Sequence, residues 1–213
     1  MALSSVPTIK KTVKVKMTDG SVKTMSRSAY IEGATYGEAV SPSTCENKNM
    51  TATQMWQYYC AMAELTNTFA VYFQKVETSK HSDADVCANP GCCENFKTGI
   101  VPDVISKAVD SIFYTDSSGN KQALVLMHKP STTTYNYICA YHFSSCKGNG
   151  TITVSGLPYL KAKSCTDLIT GNGGHRRGLC QCGAAKMAKN GKACEDILTY
   201  YFSKSDTEFC KMV

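Results

Sequence analysis

Cysteine and histidine carry most of the reactive chemistry in this chain of 213 residues. Cysteines stand at Cys45, Cys60, Cys87, Cys92, Cys93, Cys139, Cys146, Cys165, Cys180, Cys182, Cys194 and Cys210, accompanied by 4 histidines. No two of the 12 cysteines have two residues between them, the spacing that lets one tight turn aim both sulfurs at a zinc ion or at each other in a redox pair. An even number of cysteines spread along the chain points instead to a disulfide framework, with all 12 as candidates. Vicinal Cys92 and Cys93, after Pro90-Gly91, are expected to bond to two distant partners. Cys180 and Cys182 would close a strained ring if joined to each other, so two separate partners are expected there also.

Zinc is the alternative use of these residues. Cys139, His142 and Cys146 form one donor set and His175, Cys180 and Cys182 another, of the nitrogen and sulfur type that zinc accepts tetrahedrally. The difficulty is geometric: on a strand, Cys139 and His142 are three residues apart and point to opposite faces. A small thiol enzyme would need one activated cysteine in contact with a histidine, and no signature stands around any of them. Cysteines also serve as attachment points for covalent prosthetic groups, which the sequence leaves open. Metalloprotease, EF-hand, Walker A and serine-elbow motifs are absent, and Asp83, Asp85, Asp103 and Asp110 are too scattered to nominate a carboxylate pair.

The formal charge of +6 is unevenly placed. Lys10, Lys11, Lys14, Lys16, Lys23 and Arg27 face only Asp19 within the first thirty residues, and Arg176, Arg177, Lys186, Lys189 and Lys192 lie in a stretch without carboxylates. Lys14, Lys16, Lys23, Arg176 and Arg177 are therefore the candidates for binding an anion, with nucleic acid as the extended form of that ligand. The glycine-rich loop 171–178 could offer backbone N–H groups to a phosphate.

These residues need elements to position them. Val13, Val15 and Met17 alternate with Lys14 and Lys16 before Asp19-Gly20, which predicts a β-hairpin over 10–25 with a type I′ turn and Lys16 opposite Lys23. Residues 26–50, rich in Ser, Gly, Pro and Thr, read as an extended arm. Thr51 and Gln54 offer a capping box, followed by Met55, Tyr59, Met62, Phe69, Phe73 and Val76 at helical spacing. This predicts a core helix over 51–78, about 40 Å long at 1.5 Å per residue. Shorter helical patterns follow at 102–113 and at 184–202, the latter interrupted at Asn190-Gly191. Residues 123–127, 135–143 and 151–154 read as strands.

The expected fold is α+β: an antiparallel sheet of about four strands packed by the long helix and two shorter ones, with residues 1–50 as a basic hairpin and arm and 51–213 as one core domain. Hydrophobic residues make up 43% and charged residues 19%, the balance of a globular chain, and no apolar run is long enough to span a membrane. The N-terminus shows no secretory signal, in tension with a disulfide framework that needs an oxidising place such as a virion or the extracellular space. The functional expectation is a non-enzymatic structural or assembly protein that self-associates. The alternatives are an intracellular zinc module that binds nucleic acid, and a small thiol enzyme.

Overall fold

A computed structural model describes residues 9–39, 41–43, 45, 49–131, 134–165, 174–202 and 207–210. The element order is β1 (Thr12–Lys16), β2 (Val22–Ser26), α1 (Arg27–Glu38), α2 (Ala52–Lys75), β3 (Val86–Cys87), α3 (Asp103–Ser111), β4 (Phe113–Thr115), β5 (Lys121–Ala123), β6 (Val125–Ser131), β7 (Thr134–Tyr137), β8 (His142–Phe143), β9 (Leu179–Cys180), α4 (Gln181–Lys189), α5 (Cys194–Tyr201) and β10 (Thr207–Cys210). The class is α+β, as expected.

The capping box begins the long helix: the Thr51 hydroxyl accepts from Gln54 N–H at 3.2 Å, and the Gln54 side chain accepts from Thr51 N–H at 2.8 Å. Every residue of α2 from Cys60 to Val71 is buried, a run that passes through every face of the helix. Such a helix is a central strut rather than a lid on one sheet. Met62 and Leu65 join Leu126, Ile138, Tyr159 and Phe202 on one side, while Ala63, Phe69 and Phe73 join Val13, Val15, Tyr30 and Ile31 on the other. Each fully buried side chain of this size contributes about 1.5–3 kcal/mol of transfer free energy.

Around this strut the described strands form four small sheets instead of one of four strands. Their orders are β2-β1-β3, β10-β6-β7, β4-β5 and β8-β9, and the pairs β1–β3 and β8–β9 are parallel. Two local breaks explain the difference. The run 135–143 divides because Cys139 N–H bonds the Tyr159 hydroxyl at 3.2 Å rather than a neighbouring strand. Residues 151–154 spend their N–H groups on loop carbonyls, Thr151 on Lys163 and Ile152 on Arg176.

The hairpin forms, in a different register. Gly20, at φ +85°, donates to Met17 O at 3.0 Å, and Met17 N–H reaches Ser21 O at 2.7 Å, the three-residue loop with a glycine bulge. Asp19 stabilises this longer turn by accepting from the N–H and hydroxyl of Ser21 at 2.9 and 2.7 Å. Lys16 consequently faces Val22, and Lys23 faces Val15, so the expected lysine pair does not arise. The hairpin is docked on the body through β3.

Part of the segment read as an extended arm is helical. The Ser26 hydroxyl accepts from Ala29 N–H at 3.2 Å and starts α1, whose Tyr30, Ile31, Ala34 and Thr35 are buried. Gly33 and Gly37 are packing positions: a Cβ would stand 2.4 Å from the Phe96 ring at the first and 2.0 Å from Asn95 O at the second. Their bare backbone lets α1 lie directly against residues 95–97.

Buried Arg27 joins the hairpin end to α2. Its Nε donates to Lys10 O at 2.7 Å, Nη1 to Asn67 Oδ1 at 2.8 Å and Nη2 to Gln74 Oε1 at 2.5 Å. Burial lowers its pKa to about 10, still charged at neutral pH. Arg27→Ala leaves three acceptors without their donor and is expected to cost about 2–4 kcal/mol in urea denaturation. Arg27→Lys should recover only part, because one ammonium cannot reproduce the planar fork. A loss below about 1 kcal/mol for the alanine variant would refute this role.

Candidate acid–base cleft and cysteine–histidine cluster

Three distant segments meet at His142, the first residue of β8. Its Nδ1 lies 3.1 Å from Ala140 O, which makes Nδ1 a donor and directs Nε2 towards Glu38 Oε1 at 3.5 Å and Glu94 Oε1 at 4.0 Å. Glu38 ends α1, and its Oε2 accepts from Asn95 N–H at 2.9 Å. Glu94 accepts through Oε2 from the Tyr30 hydroxyl at 2.7 Å. The close approach at Gly33 and Gly37 positions these groups, since Asn95 Nδ2 also donates to Gly37 O at 2.9 Å and Lys97 N–H to Gly33 O at 3.0 Å.

Burial sets the protonation states. It would depress His142, but the hydrogen bond to Glu38 and the charges of Glu94 and Glu38 outweigh it and raise the imidazole to about 9. Burial likewise raises Glu94, to about 7, against the pull of His142 and Tyr30. For Glu38 burial acts upward, yet the hydrogen bond and charge of His142 and the Asn95 N–H prevail and hold it below the usual carboxylate range. At neutral pH the centre is an imidazolium beside an ionised Glu38. Side-chain exposure is 21% for Glu38 against 5% for His142 and 2% for Glu94, so Glu38 is the member that meets solvent.

It meets solvent in a cleft of about 240 Å³ lined by Phe69, Phe73, Glu77, Lys80, Tyr141, His142, His175 and the turn Pro90–Cys93. Phe69 packs with Phe73 at 4.7 Å between ring centroids, and Lys80 Nζ stands 4.3 Å above Phe73 while donating to Cys92 O at 2.8 Å. Glu77 accepts from the Tyr72 hydroxyl at 3.2 Å. Burial and nearby positive charge lower His175, which favours its neutral form.

Cys92 and Cys93, in the wall of the cleft, also belong to a metal-ligand set. The ligand atoms of His81, Cys87, Cys92 and Cys93 all lie within 4.8 Å of one another. His81 Nε2 is 3.2 Å from Cys93 Sγ and 3.9 Å from Cys92 Sγ. The turn achieves this by sending Cys92 N–H and Cys93 N–H to the same carbonyl, Asn89 O, both at 2.9 Å, while Gly91 N–H binds Asn89 Oδ1 at 2.9 Å. Three sulfurs and one imidazole are a common tetrahedral zinc set, and they fit that ion in number and donor type. Burial holds the Cys93 thiol well above its ordinary value, so a metal would have to displace its proton.

The sequence candidates are distributed as follows. Cys45–Cys182 and Cys146–Cys165 are disulfides, whereas Cys60, Cys87, Cys92, Cys93, Cys139 and Cys194 are in none. The Cys210 side chain and residues 171–173 of the glycine-rich loop lie outside the described residues. The six residues considered as zinc ligands are divided: His142 between two glutamates, His175 at the cleft, Cys139 buried behind Tyr141, Cys146 and Cys182 in disulfides, and Cys180 beside one of them. Among the anion candidates, Lys16 pairs with Asp83 at 3.3 Å and the Arg176 guanidinium is spent on Gly150 O and Asn149 O, at 2.8 and 2.5 Å. Lys14 donates its N–H to Asp85 at 2.8 Å, Lys23 lies exposed on β2, and Arg177 is exposed. Glu38, Glu94 and His81 were not among the candidates; the Ser26 cap and the Tyr30, Ile31, Ala34 spacing were the signal for the helix that carries Glu38.

No family model matches the chain, and no curated protein matches it closely enough to count as a relative.

Zinc titrated into the reduced chain is expected to bind tightly at one equivalent through this set, as read by elemental analysis after gel filtration. Cys87→Ser and Cys93→Ser should each lose that equivalent. Retention of zinc by both variants, or none bound by the parent chain, would refute the assignment.

Proposed function

We propose that the chain is an acid–base enzyme that cleaves a saccharide chain in this cleft, with Glu38 exchanging the proton. The observation that carries the reading is the line of ionisable groups Glu38, His142, Glu94 and Tyr30, of which Glu38 is the member that reaches the cleft while the others are buried behind it. Burying an ion pair instead of apolar side chains gives little stability, and groups perturbed in this way concentrate at functional sites. The aromatic faces of Phe69, Phe73 and Tyr141 suit the apolar faces of sugar rings, and Glu77 and Lys80 supply hydrogen bonds at the rim. Nucleophilic thiol chemistry is disfavoured, because burial raises Cys93 and Cys92, opposite to what an attacking thiolate needs.

In this mechanism Glu38 waits ionised, held by the cationic His142 and by Asn95 N–H. A sugar seated on the aromatic walls displaces water, which strengthens the hold of the carboxyl on a proton. Glu38 then takes the proton from a water or a substrate hydroxyl as that oxygen bonds to the anomeric carbon, and returns it to the glycosidic oxygen as the bond from that oxygen to the same carbon breaks, acting as base and acid in turn. His142 is a positioning residue: its Nδ1 is committed to Ala140 O and its Nε2 to the carboxylates. Glu94, hydrogen-bonded by the Tyr30 hydroxyl, offsets part of its charge from behind.

A second reading, the disulfide-stabilised structural or assembly protein, is favoured by Cys45–Cys182 and Cys146–Cys165. It expects self-association that rises with concentration in sedimentation and no saccharide turnover.

Glu38→Gln is expected to lower the release of new chain ends from a panel of soluble and insoluble polysaccharides by about 100–10,000-fold, assayed below the reduced melting temperature expected once the buried His142 loses its ionised partner. Activity in the parent chain should fall as pH rises through about 9, where His142 loses the proton that holds Glu38 in place. An active Glu38→Gln variant would end the proposal, as would a parent chain inactive on every glycan tested.

A further inference from the structure

A second cleft, of about 190 Å³, shares no lining residue with the acid–base cleft. Segments distant in the chain build it: residues 9–11, the start of α1 at 26–28, and Phe113 with residues 121–123 of the β4–β5 pair. Its charge is of one sign. Lys10, Lys11, Arg27 and Lys121 line it together with apolar Ile9, Phe113 and Ala123, and no carboxylate is among the described residues of its wall. Arg27 is the unusual member, at 3% exposure, because its guanidinium donates to three uncharged acceptors, Lys10 O, Asn67 Oδ1 and Gln74 Oε1. Buried charges are ordinarily paired. The carboxylate whose charge reaches Arg27 is Asp85, which is already bonded by Lys14 N–H, the Gln74 amide and Lys10. The lysines add to this positive charge and are only partly engaged. Lys11 Nζ donates to Asn120 Oδ1 at 3.1 Å, Lys10 Nζ is 3.5 Å from Asp85, and Lys121 Nζ is 4.0 Å from Asp110 and 4.7 Å from the Phe113 ring centroid. An ammonium carries three donors, so each lysine keeps donors for a further acceptor. The first turn of α1 carries no acidic residue and adds the positive end of the helix dipole.

We propose that this cleft binds a phosphate monoester with an apolar ester group, the phosphate among Lys10, Lys11 and Lys121 and the apolar group on Ile9, Phe113 and Ala123. A monoester phosphate carries close to two negative charges and three strong acceptor oxygens at neutral pH. That matches a site where four cations have two carboxylates, Asp85 and Asp110, in ion-pair range among the described residues. Arg27 contributes its charge from beneath without leaving its three acceptors. The cleft is smaller than the roughly 300–1,000 Å³ of a whole small-molecule site, so it holds one end of its ligand.

The test is calorimetric titration of the full chain with phenyl phosphate and, separately, with inorganic phosphate. One equivalent of phenyl phosphate is expected to bind, about tenfold more tightly than inorganic phosphate because its ring leaves water, and more weakly as NaCl is raised. Lys11→Gln and Lys121→Gln should each weaken binding about tenfold. Both lysines are exposed, so these variants test binding and not folding. Lys23→Gln, on β2 and outside the cleft, should bind as the parent chain does. An equal loss in Lys23→Gln would reveal a general basic surface and overturn the proposal. So would equal affinity for the two phosphates, or no saturable binding by the parent chain. Vesicles of phosphatidylcholine containing phosphatidic acid identify the source of the monoester, and both results uphold the site: retention that Lys11→Gln abolishes assigns it to a lipid, whereas phenyl phosphate binding without retention assigns it to a soluble molecule.

Discussion

The architecture depends on one constraint: α2 is buried on all sides from Cys60 to Val71, so Asn67, Thr68 and, one turn on, Gln74 take their hydrogen-bond partners from the segments around it. Asn67 donates to Leu124 O at 2.8 Å, the Thr68 hydroxyl accepts from Leu126 N–H at 2.9 Å, and Gln74 donates to Thr12 O at 3.1 Å and to Asp85 at 2.8 Å. Left unpaired, each such group would cost about 1–3 kcal/mol. The same bonds serve the surrounding strands. Elements of two or three residues are too short to hold themselves as sheets, and here the central helix grips the hairpin, the segment entering β3 and the start of β6. Arg27 extends the grip to the end of β2. The small sheets are outlying parts of one helix-centred hydrogen-bond system.

This explains what could be read from the chain beforehand. The start of α2 is a local event, written in Thr51 and Gln54, and the break between α4 and α5 is written in Asn190-Gly191; both are found where the sequence places them. Strand pairing is not local. Nothing around Val86-Cys87 announces a parallel partner in β1, because that pairing follows from where α2 holds the neighbouring chain. The hairpin turn was ambiguous for another reason: Asp19-Gly20 suits both a two-residue type I′ turn and a three-residue loop with a glycine bulge, and the Ser21 contacts to Asp19 select the second. Around α1, Gly33 and Gly37 resembled loop punctuation, although their role is to let a helix approach residues 95–97. That misreading concealed Glu38, and with it the cleft.

The cysteines show how much their use depends on surroundings that spacing does not encode. Cys45, Cys146, Cys165 and Cys182 are disulfide-bonded around the start of α4. Cys60 faces the Ser111 hydroxyl at 3.2 Å, and Cys194 faces Glu64 at 3.4 Å; burial drives both thiols towards the protonated state, Cys60 to about 12, and raises Glu64 to about 8. These behave as small core residues with one polar contact each. Cys87, Cys92 and Cys93 converge on His81 instead. An even count suggested uniform pairing, but packing has sorted one residue type into bridges, inert core thiols and a ligand set.

The last of these groups bears on the cleft through chain connectivity. Cys93 is followed by Glu94 and Asn95, the residues that contact His142 and Glu38, and residues 88–101 contain no helix or strand that could hold them by itself. The segment is restrained at two places. On one side α1 grips it through Gly33, Gly37 and the Asn95 and Lys97 hydrogen bonds; on the other, Cys92 and Cys93 are drawn towards His81 and Cys87. Releasing either restraint would let Glu94 and the Asn95 N–H move relative to Glu38, and a displacement near 1 Å is enough to cost a proton-transfer site about 100-fold in rate. The cysteine–histidine cluster and the Glu38–His142–Glu94 group thus share one segment, the cluster at Cys92 and Cys93 and the residues that set the charge on Glu38 directly after it in the chain.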